Sequence, residues 1–162
     1  YPMTVSATVD AKSITEEVGT ISVYGLKVGS RTTTIDKSGE TFYVLQNDNY
    51  NTTYLTSTGT NLTASMTLQG YYNLFSFEDE KIRSVARGTY LSGTNGTVSF
   101  NATGSNYQTS TNGQNIRIYT QTSNGWWNQT YYLRQTGNTT VSMQTNNNNN
   151  NWRLLPVTYD IP

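Results

Sequence analysis

The side chains of this chain best suited to chemistry are aromatic and neutral. Tyr71, Tyr72, Tyr107, Trp126, Trp127 and Tyr131 stand among Asn, Gln, Ser and Thr. Flat rings offer faces for stacking against C–H groups, and amides and hydroxyls both donate and accept hydrogen bonds. Together these are the means of carbohydrate recognition. Tyr107 is singled out because the polar segment around it, residues 101–115, is longer than its counterparts, and long polar loops often carry binding residues. The alternative is that these rings pack strands, as most aromatics do. Trp126 and Trp127, adjacent on an alternating strand, point to opposite faces, so only one can be core.

Other chemistries find less support. Glu78-Asp79-Glu80 is the only acidic cluster. Glycoside hydrolysis needs two carboxylates facing each other across the bond, about 5–10 Å apart, and three consecutive turn residues do not supply that. With Lys81 and Arg83 beside them, a solvated turn is the expectation. The absence of Cys and His excludes thiol nucleophiles, His-dependent triads, disulfides and the usual structural zinc sites. No acidic spacing resembles a calcium-binding loop. No catalytic residue, metal ligand or cofactor is therefore expected. Arg117 and Arg153 are each flanked by apolar residues and should point outward, either to shield the surface or to clamp a carboxylate such as that of a sialic acid.

The charges point away from two classes of partner. Ten basic and ten acidic residues cancel over 162 residues. No basic stripe is present to neutralise phosphates, so nucleic acid is not an expected partner. No apolar run approaches the roughly 20 residues of a spanning helix, so membrane insertion is not expected either. Hydrophobic content is 34% and charged content only 12%, while 13 Tyr, 3 Trp and 4 Phe are present. A low-charge, aromatic-rich chain should fold, and Thr, Tyr and Val suit half-buried strands. Six Asn-x-Ser/Thr sequons, at Asn51, Asn61, Asn95, Asn101, Asn128 and Asn138, are about what so much Asn, Ser and Thr yields by chance.

The elements that must position these residues recur three times. Tyr54-Leu55 is followed by Ala64 and Met66 and then Asn73-Leu74-Phe75-Ser76-Phe77. Tyr90-Leu91 is followed by Val98 and Phe100 and then Gln114-Asn115-Ile116-Arg117-Ile118. Tyr132-Leu133 is followed by Val141 and Met143 and then Asn150-Asn151-Trp152-Arg153-Leu154. The Tyr-Leu pairs lie 36 and 42 residues apart, a period that defines a small set of repeat architectures. From Glu40 onward each copy is read as four strands: 42–45, 53–56, 62–68 and 74–77, then 81–86, 89–92, 97–101 and 115–119, then 125–129, 131–134, 140–144 and 152–155. Asn95-Gly96, Asn112-Gly113 and Asn124-Gly125 are hairpin signals between them.

Twelve strands in three four-strand copies predict an all-β chain with a β-trefoil, because one copy cannot bury both faces of its strands. The expected core is Leu55, Leu91 and Leu133; Met66, Phe100 and Met143; Phe75, Ile116 and Trp152; and Phe77, Ile118 and Leu154. Residues 1–38 have no counterpart in the repeats. Alternation over 3–9 and 20–24 predicts two strands there, so 1–38 is an N-terminal β extension or the end of a preceding domain, and 39–162 is the trefoil. A sandwich that includes 1–38 is the alternative.

At these residues the chain resembles the β-trefoil superfamily, in particular ricin B-like lectins and carbohydrate-binding modules. Those typically end each repeat in Gln-x-Trp; the counterparts here are Asn73-Leu74-Phe75, Gln114-Asn115-Ile116 and Asn150-Asn151-Trp152. Gly88-Thr89-Tyr90-Leu91 also looks like a strand of fascin-like and growth-factor-like trefoils. Ricin-like sites use an Asp near the end of a repeat's first strand and an aromatic platform in the following hairpin. The resemblance therefore implies a role for Asp48, with Tyr71 and Tyr72 as platforms. The other copies have no Asp at that place, so at most one site of this kind is implied.

The expectation is thus a non-catalytic carbohydrate-binding module of an extracellular or cell-surface bacterial protein, one module of a longer chain, with Asp48, Tyr71, Tyr72, Tyr107 and Trp126 at the site. The rival is a structural or protein-binding module, such as an adhesin domain or a trefoil-type inhibitor.

Overall fold

The computed structural model describes residues 26–50, 52–123 and 125–159. Residues 28–157 form one compact unit. The two strands expected within 1–25 lie outside the described residues.

The described chain is all-β apart from one 3₁₀ turn, Gly70–Asn73. In order the strands are β1 Leu26–Val28, β2 Phe42–Asn47, β3 Tyr54–Thr56, β4 Thr63–Ser65, β5 Phe75–Glu78, β6 Lys81–Ser84, β7 Tyr90–Ser92, β8 Ser99–Asn101, β9 Gln108–Asn112, β10 Asn115–Ser123, β11 Asn128–Gln135, β12 Val141–Gln144 and β13 Trp152–Tyr159. They pair antiparallel, and β2 lies between β13 and β5. Glu78-Asp79-Glu80 is a tight turn, as expected: Glu78 pairs with Lys81, and Asp79 has a φ of 55°. Gly113-Gln114 closes the β9–β10 hairpin, because Asn112 pairs with Asn115. Gly113 has a φ of 63°, a conformation that glycine adopts without a Cβ clash.

Three hairpins share one registration. In β3–β4, Leu55 faces Ala64; in β7–β8, Leu91 faces Phe100; in β11–β12, Leu133 faces Met143. The Tyr before each Leu pairs with another strand, Tyr54 with Gln46, Tyr90 with Arg83 and Tyr132 with Tyr119. Each hairpin also touches the other two. Leu62 N donates to Val98 O at 2.8 Å, Ala64 N to Thr139 O at 3.0 Å, and Gly96 N to Met143 O at 2.8 Å. These bonds satisfy backbone groups that short strands would otherwise leave unpaired.

The registration corrects two expectations. Met66 is 60% exposed, because Ala64 stands opposite Leu55 and Leu62 takes the buried place that Val98 and Val141 take in the other hairpins. Asn115–Tyr119 is not a last strand of the second copy. It pairs with Tyr132 as Gln46 pairs with Tyr54, so it leads into the third hairpin. The segment that corresponds to Phe75 and Trp152 begins at Tyr107, whose N–H donates to Glu80 O at 2.7 Å, as Phe75 pairs with Tyr43 and Trp152 with Ile116.

The core is one cluster in which Leu55, Leu91, Leu133, Phe75, Trp152, Ile116, Ile118 and Leu154 are all nearly sealed from solvent. Phe100 is partly buried against it, and the Arg87 guanidinium lies 4.8 Å from its ring centre. Leu45, Ile82 and Ile118 fill matching places, facing Leu154, Phe77 and Thr109. Trp152 donates its indole N–H to Leu133 O at 2.9 Å, which satisfies the polar atom of the largest buried side chain.

Candidate functional site

The long β10–β11 hairpin carries an aromatic pair at its tip. The paired strands end at Ser123 and Asn128, and Trp126 and Trp127 lie in the connecting turn, 94% and 59% exposed. Neither belongs to the core, whereas the alternating pattern allowed one of them there. Gln121 Nε2 donates to Thr130 Oγ1 across the stem at 3.1 Å, and the segment 118–133 contains no charged residue. The tip therefore presents two indoles framed by amides and hydroxyls.

A second feature lies at the seam between two hairpins. A shallow open cleft of about 320 Å³ is lined by Tyr131 together with the amides of Asn95, Gln144 and Asn146 and the hydroxyl residues Ser142 and Thr145. Gly96 and Met143 exchange both backbone hydrogen bonds, at 2.8 and 2.7 Å, and so tie the two sides of the cleft together. Thr120 donates to Thr94 O at 2.9 Å beside Tyr131's strand partner position. Tyr131 is half-buried, one edge on the core. Asn95-Gly96 was legible as a turn, and nothing in the sequence showed that it would meet residues 142–146.

Tyr71 and Tyr72 sit in the 3₁₀ turn, Tyr71 half-buried and Tyr72 45% exposed. Asn73 holds that turn in place. Its side-chain amide donates to Leu55 O at 2.8 Å and to Ser65 Oγ at 3.2 Å, while its side-chain oxygen accepts from Gln69 N. Tyr72 O accepts from both the backbone N and the hydroxyl of Ser57. The Tyr72 ring is thus presented from a rigid turn.

Two of the expected site residues are placed otherwise. Tyr107 is only 3% exposed and its hydroxyl donates to Gly93 O at 2.7 Å, so its ring is core and no stacking platform. Burial pushes the phenol pKa well above its ordinary value. The segment around it forms β9 and folds back on β10, which removes the long open loop that its polarity suggested.

Asp48 is a strut and not an open acceptor. Arg153 Nε donates to its Oδ1 at 2.5 Å, Asn115 Nδ2 donates to Oδ2 at 2.9 Å, and Arg31 Nη1 lies 3.6 Å from Oδ1. The hydrogen bond from Arg153 holds its carboxyl below the usual carboxylate range, helped by Asn115 and by the charges of Arg153 and Arg31. Both oxygens that a sugar hydroxyl would need are engaged with this chain.

No group of three or more acidic side chains able to hold a metal is present among the described residues, and none of their helices is long and apolar enough to cross a membrane.

The structure is similar to that of the hemolytic lectin CEL-III, with a TM-score of 0.57 and 14% identity. The similarity covers 77% of this chain and 30% of the CEL-III chain, so the chain spans under a third of that protein's length. No family model matches the sequence, and no curated protein matches it.

Proposed function

We propose that the unit 28–157 is a β-trefoil of the ricin B-like type and that it serves as a non-catalytic carbohydrate-binding module, acting outside the cell or on its surface. The shared registration of three hairpins and their mutual backbone hydrogen bonds support the trefoil. The likeness in fold to a hemolytic lectin supports the binding role.

The observation that carries the proposal is the exposure of Trp126, 94%, on a tip without charges. Burying an aromatic side chain removes about 150–250 Å² from water, and each Å² of apolar area contributes about 25 cal/mol. An indole left in solvent forgoes that stabilisation and is free to gain it from a ligand. A sugar ring offers a C–H face to the indole and hydroxyls to the neighbouring amides, with no charge to neutralise. One shallow platform binds weakly, and neighbouring modules or sites raise avidity without new contacts.

The test is a glycan array probed with the wild-type chain, Trp126→Ala and Trp127→Ala. Binding to at least one glycan is expected, weakened about tenfold or more in Trp126→Ala, because stacking and burial of one indole contribute on the order of 1.5–3 kcal/mol. The melting temperature should not move. Absence of binding to any glycan, or full binding by both Trp variants, overturns the platform.

A further inference from the structure

We infer that Arg31, Arg117 and Arg153 form a second, separate ligand site, one that takes an anionic group carried on a carbohydrate, either a carboxylate or a sulfate. This goes beyond the aromatic platform and uses none of its residues.

The three guanidiniums come from distant parts of the chain and meet in one polar network. Arg153 on β13 and Arg31 approach the same oxygen of Asp48, at 2.5 and 3.6 Å. Arg31 Nη1 also donates to Asn115 Oδ1 at 3.2 Å, and Asn115 in turn donates to the second oxygen of Asp48. Arg117 on β10 donates through Nε to Asn151 Oδ1 at 3.3 Å, and Asn151 O accepts from Asp48 N at 2.9 Å. The network holds three positive charges and one negative among the described residues. A single carboxylate cannot balance it.

The distribution of charge along the chain leaves no other partner nearby in sequence. Between Glu80 and Asp160 there are six basic residues and no acidic one. Among the described residues the other acids are Asp36, Glu40 and the Glu78–Glu80 turn, and none of them forms an ion pair with these arginines.

The geometry leaves donors to spare. Arg117 and Arg153 each commit Nε to an acceptor of this chain, and their Nη groups have no hydrogen-bond partner among the described residues. The Arg31 and Arg153 side chains are 35% and 34% exposed. Guanidiniums oriented through Nε, with Nη groups free, suit bidentate capture of a planar carboxylate or a sulfate. Asp48 and Asn151 act as positioning residues that hold the forks in place. Asp48 also keeps the like charges of Arg31 and Arg153 together on one oxygen, which is unfavourable until an anion arrives.

The experiment compares three oligosaccharides by isothermal calorimetry on the full chain at low and raised salt: a hyaluronan hexasaccharide for carboxylate, a sulfated dextran oligosaccharide for sulfate, and the unsulfated dextran of the same length. One or both acidic probes should bind at least tenfold tighter than neutral dextran, and raised salt should erase most of the difference. Arg117→Gln should weaken acidic binding about tenfold, the effect of losing one charge-assisted contact. Arg153→Gln should do the same, but it also releases Asp48, so Arg117→Gln carries the test if that variant unfolds. Asp48→Asn keeps an acceptor for Arg153 while removing the competing charge, and acidic binding should tighten. Acidic probes that bind no better than dextran, or a folded Arg117→Gln chain with undiminished acidic binding, overturn the inference. Those results leave the Trp126 platform standing. Loss of neutral-glycan binding in Trp126→Ala with the acidic preference retained supports the second site and its separateness.

Discussion

Replacing Tyr107 by Phe separates a core tyrosine from a binding tyrosine with the removal of one oxygen. The ring is 3% exposed and its hydroxyl donates to Gly93 O at 2.7 Å. Phe keeps the ring packing and leaves that carbonyl without its donor. A net hydrogen bond plus an unsatisfied acceptor costs about 1–2 kcal/mol. For a chain of this size that corresponds to a fall of roughly 2–8 °C in melting temperature. The pH dependence adds a second, independent signature. Burial raises the folded pKa above the unfolded value, which lies near 10 for tyrosine. Below about pH 10 both states keep the proton and the group contributes no pH dependence. Above it the unfolded chain releases the proton while the folded chain retains it. Wild-type stability then falls by roughly 1.4 kcal/mol per pH unit from this residue alone. Phe lacks that loss, so the gap between the two proteins should shrink to near zero around pH 11. Urea unfolding followed by circular dichroism at pH 8 and pH 11 measures both effects, and glycan binding at pH 7 should be the same for the two proteins. A variant with an unchanged urea midpoint and impaired glycan binding would refute the placement of Tyr107 in the core.

Other perturbations probe the registration and the strut. Leu133→Ala, at a position 1% exposed, should cost about 2.7–5 kcal/mol by cavity formation, whereas Met66→Ala, at a position 60% exposed, should stay within about 0.5 kcal/mol. Equal losses in urea unfolding would show that the β3–β4 hairpin is registered differently. Asp48→Asn should cost about 0.5–1.5 kcal/mol at pH 7, a partly exposed pair discounted for solvent screening. Because the folded carboxyl has the lower pKa, its contribution is present above the unfolded value near 3.8 and is lost as pH falls through the folded one. The cost should therefore shrink progressively as pH falls below that unfolded value, and a cost that does not change with pH in acid would assign it to packing.

The hairpins were legible because each carries a strong local signal. Tyr-Leu recurred nine or ten residues before an apolar partner, and the structure keeps Leu55, Leu91 and Leu133 in matching places. The slip in the second copy has a physical cause. Its last strand begins Tyr107-Gln108-Thr109, and Thr109 stands where Phe77 and Leu154 stand in the others. The period-2 apolar pattern is therefore stronger in Ile116-Arg117-Ile118, which belongs to the next segment. Met66 failed because Leu55 faces Ala64 nine residues on, as Leu91 faces Phe100, which puts Leu62 and Ala64 inside. The candidate site divides along the same line. Exposure of Trp126 was one of two outcomes that alternation allowed, and Tyr72 lies on a turn that the sequence placed in a hairpin. The seam cleft and the arginine network join residues far apart in the chain. Local pattern contains no trace of such meetings.

The way the chain enters and leaves the unit sets how it would respond to tension. Gly29 N donates to Pro156 O at 2.7 Å and Thr32 N to Leu154 O at 3.0 Å, so entry and exit lie side by side. Within this unit, a pull on the two ends bears on Gly29–Pro156 before Thr32–Leu154, and only afterwards on the β2–β13 ladder from Val157–Phe42 inward. The bonds fail one after another, as a zipper does, and never share the load. A body hung in this way adds almost nothing to the length of a tether while it is folded. Under stress it would open from its base and leave the 3₁₀ turn that carries Tyr72 and the hairpin that carries Trp126 until last.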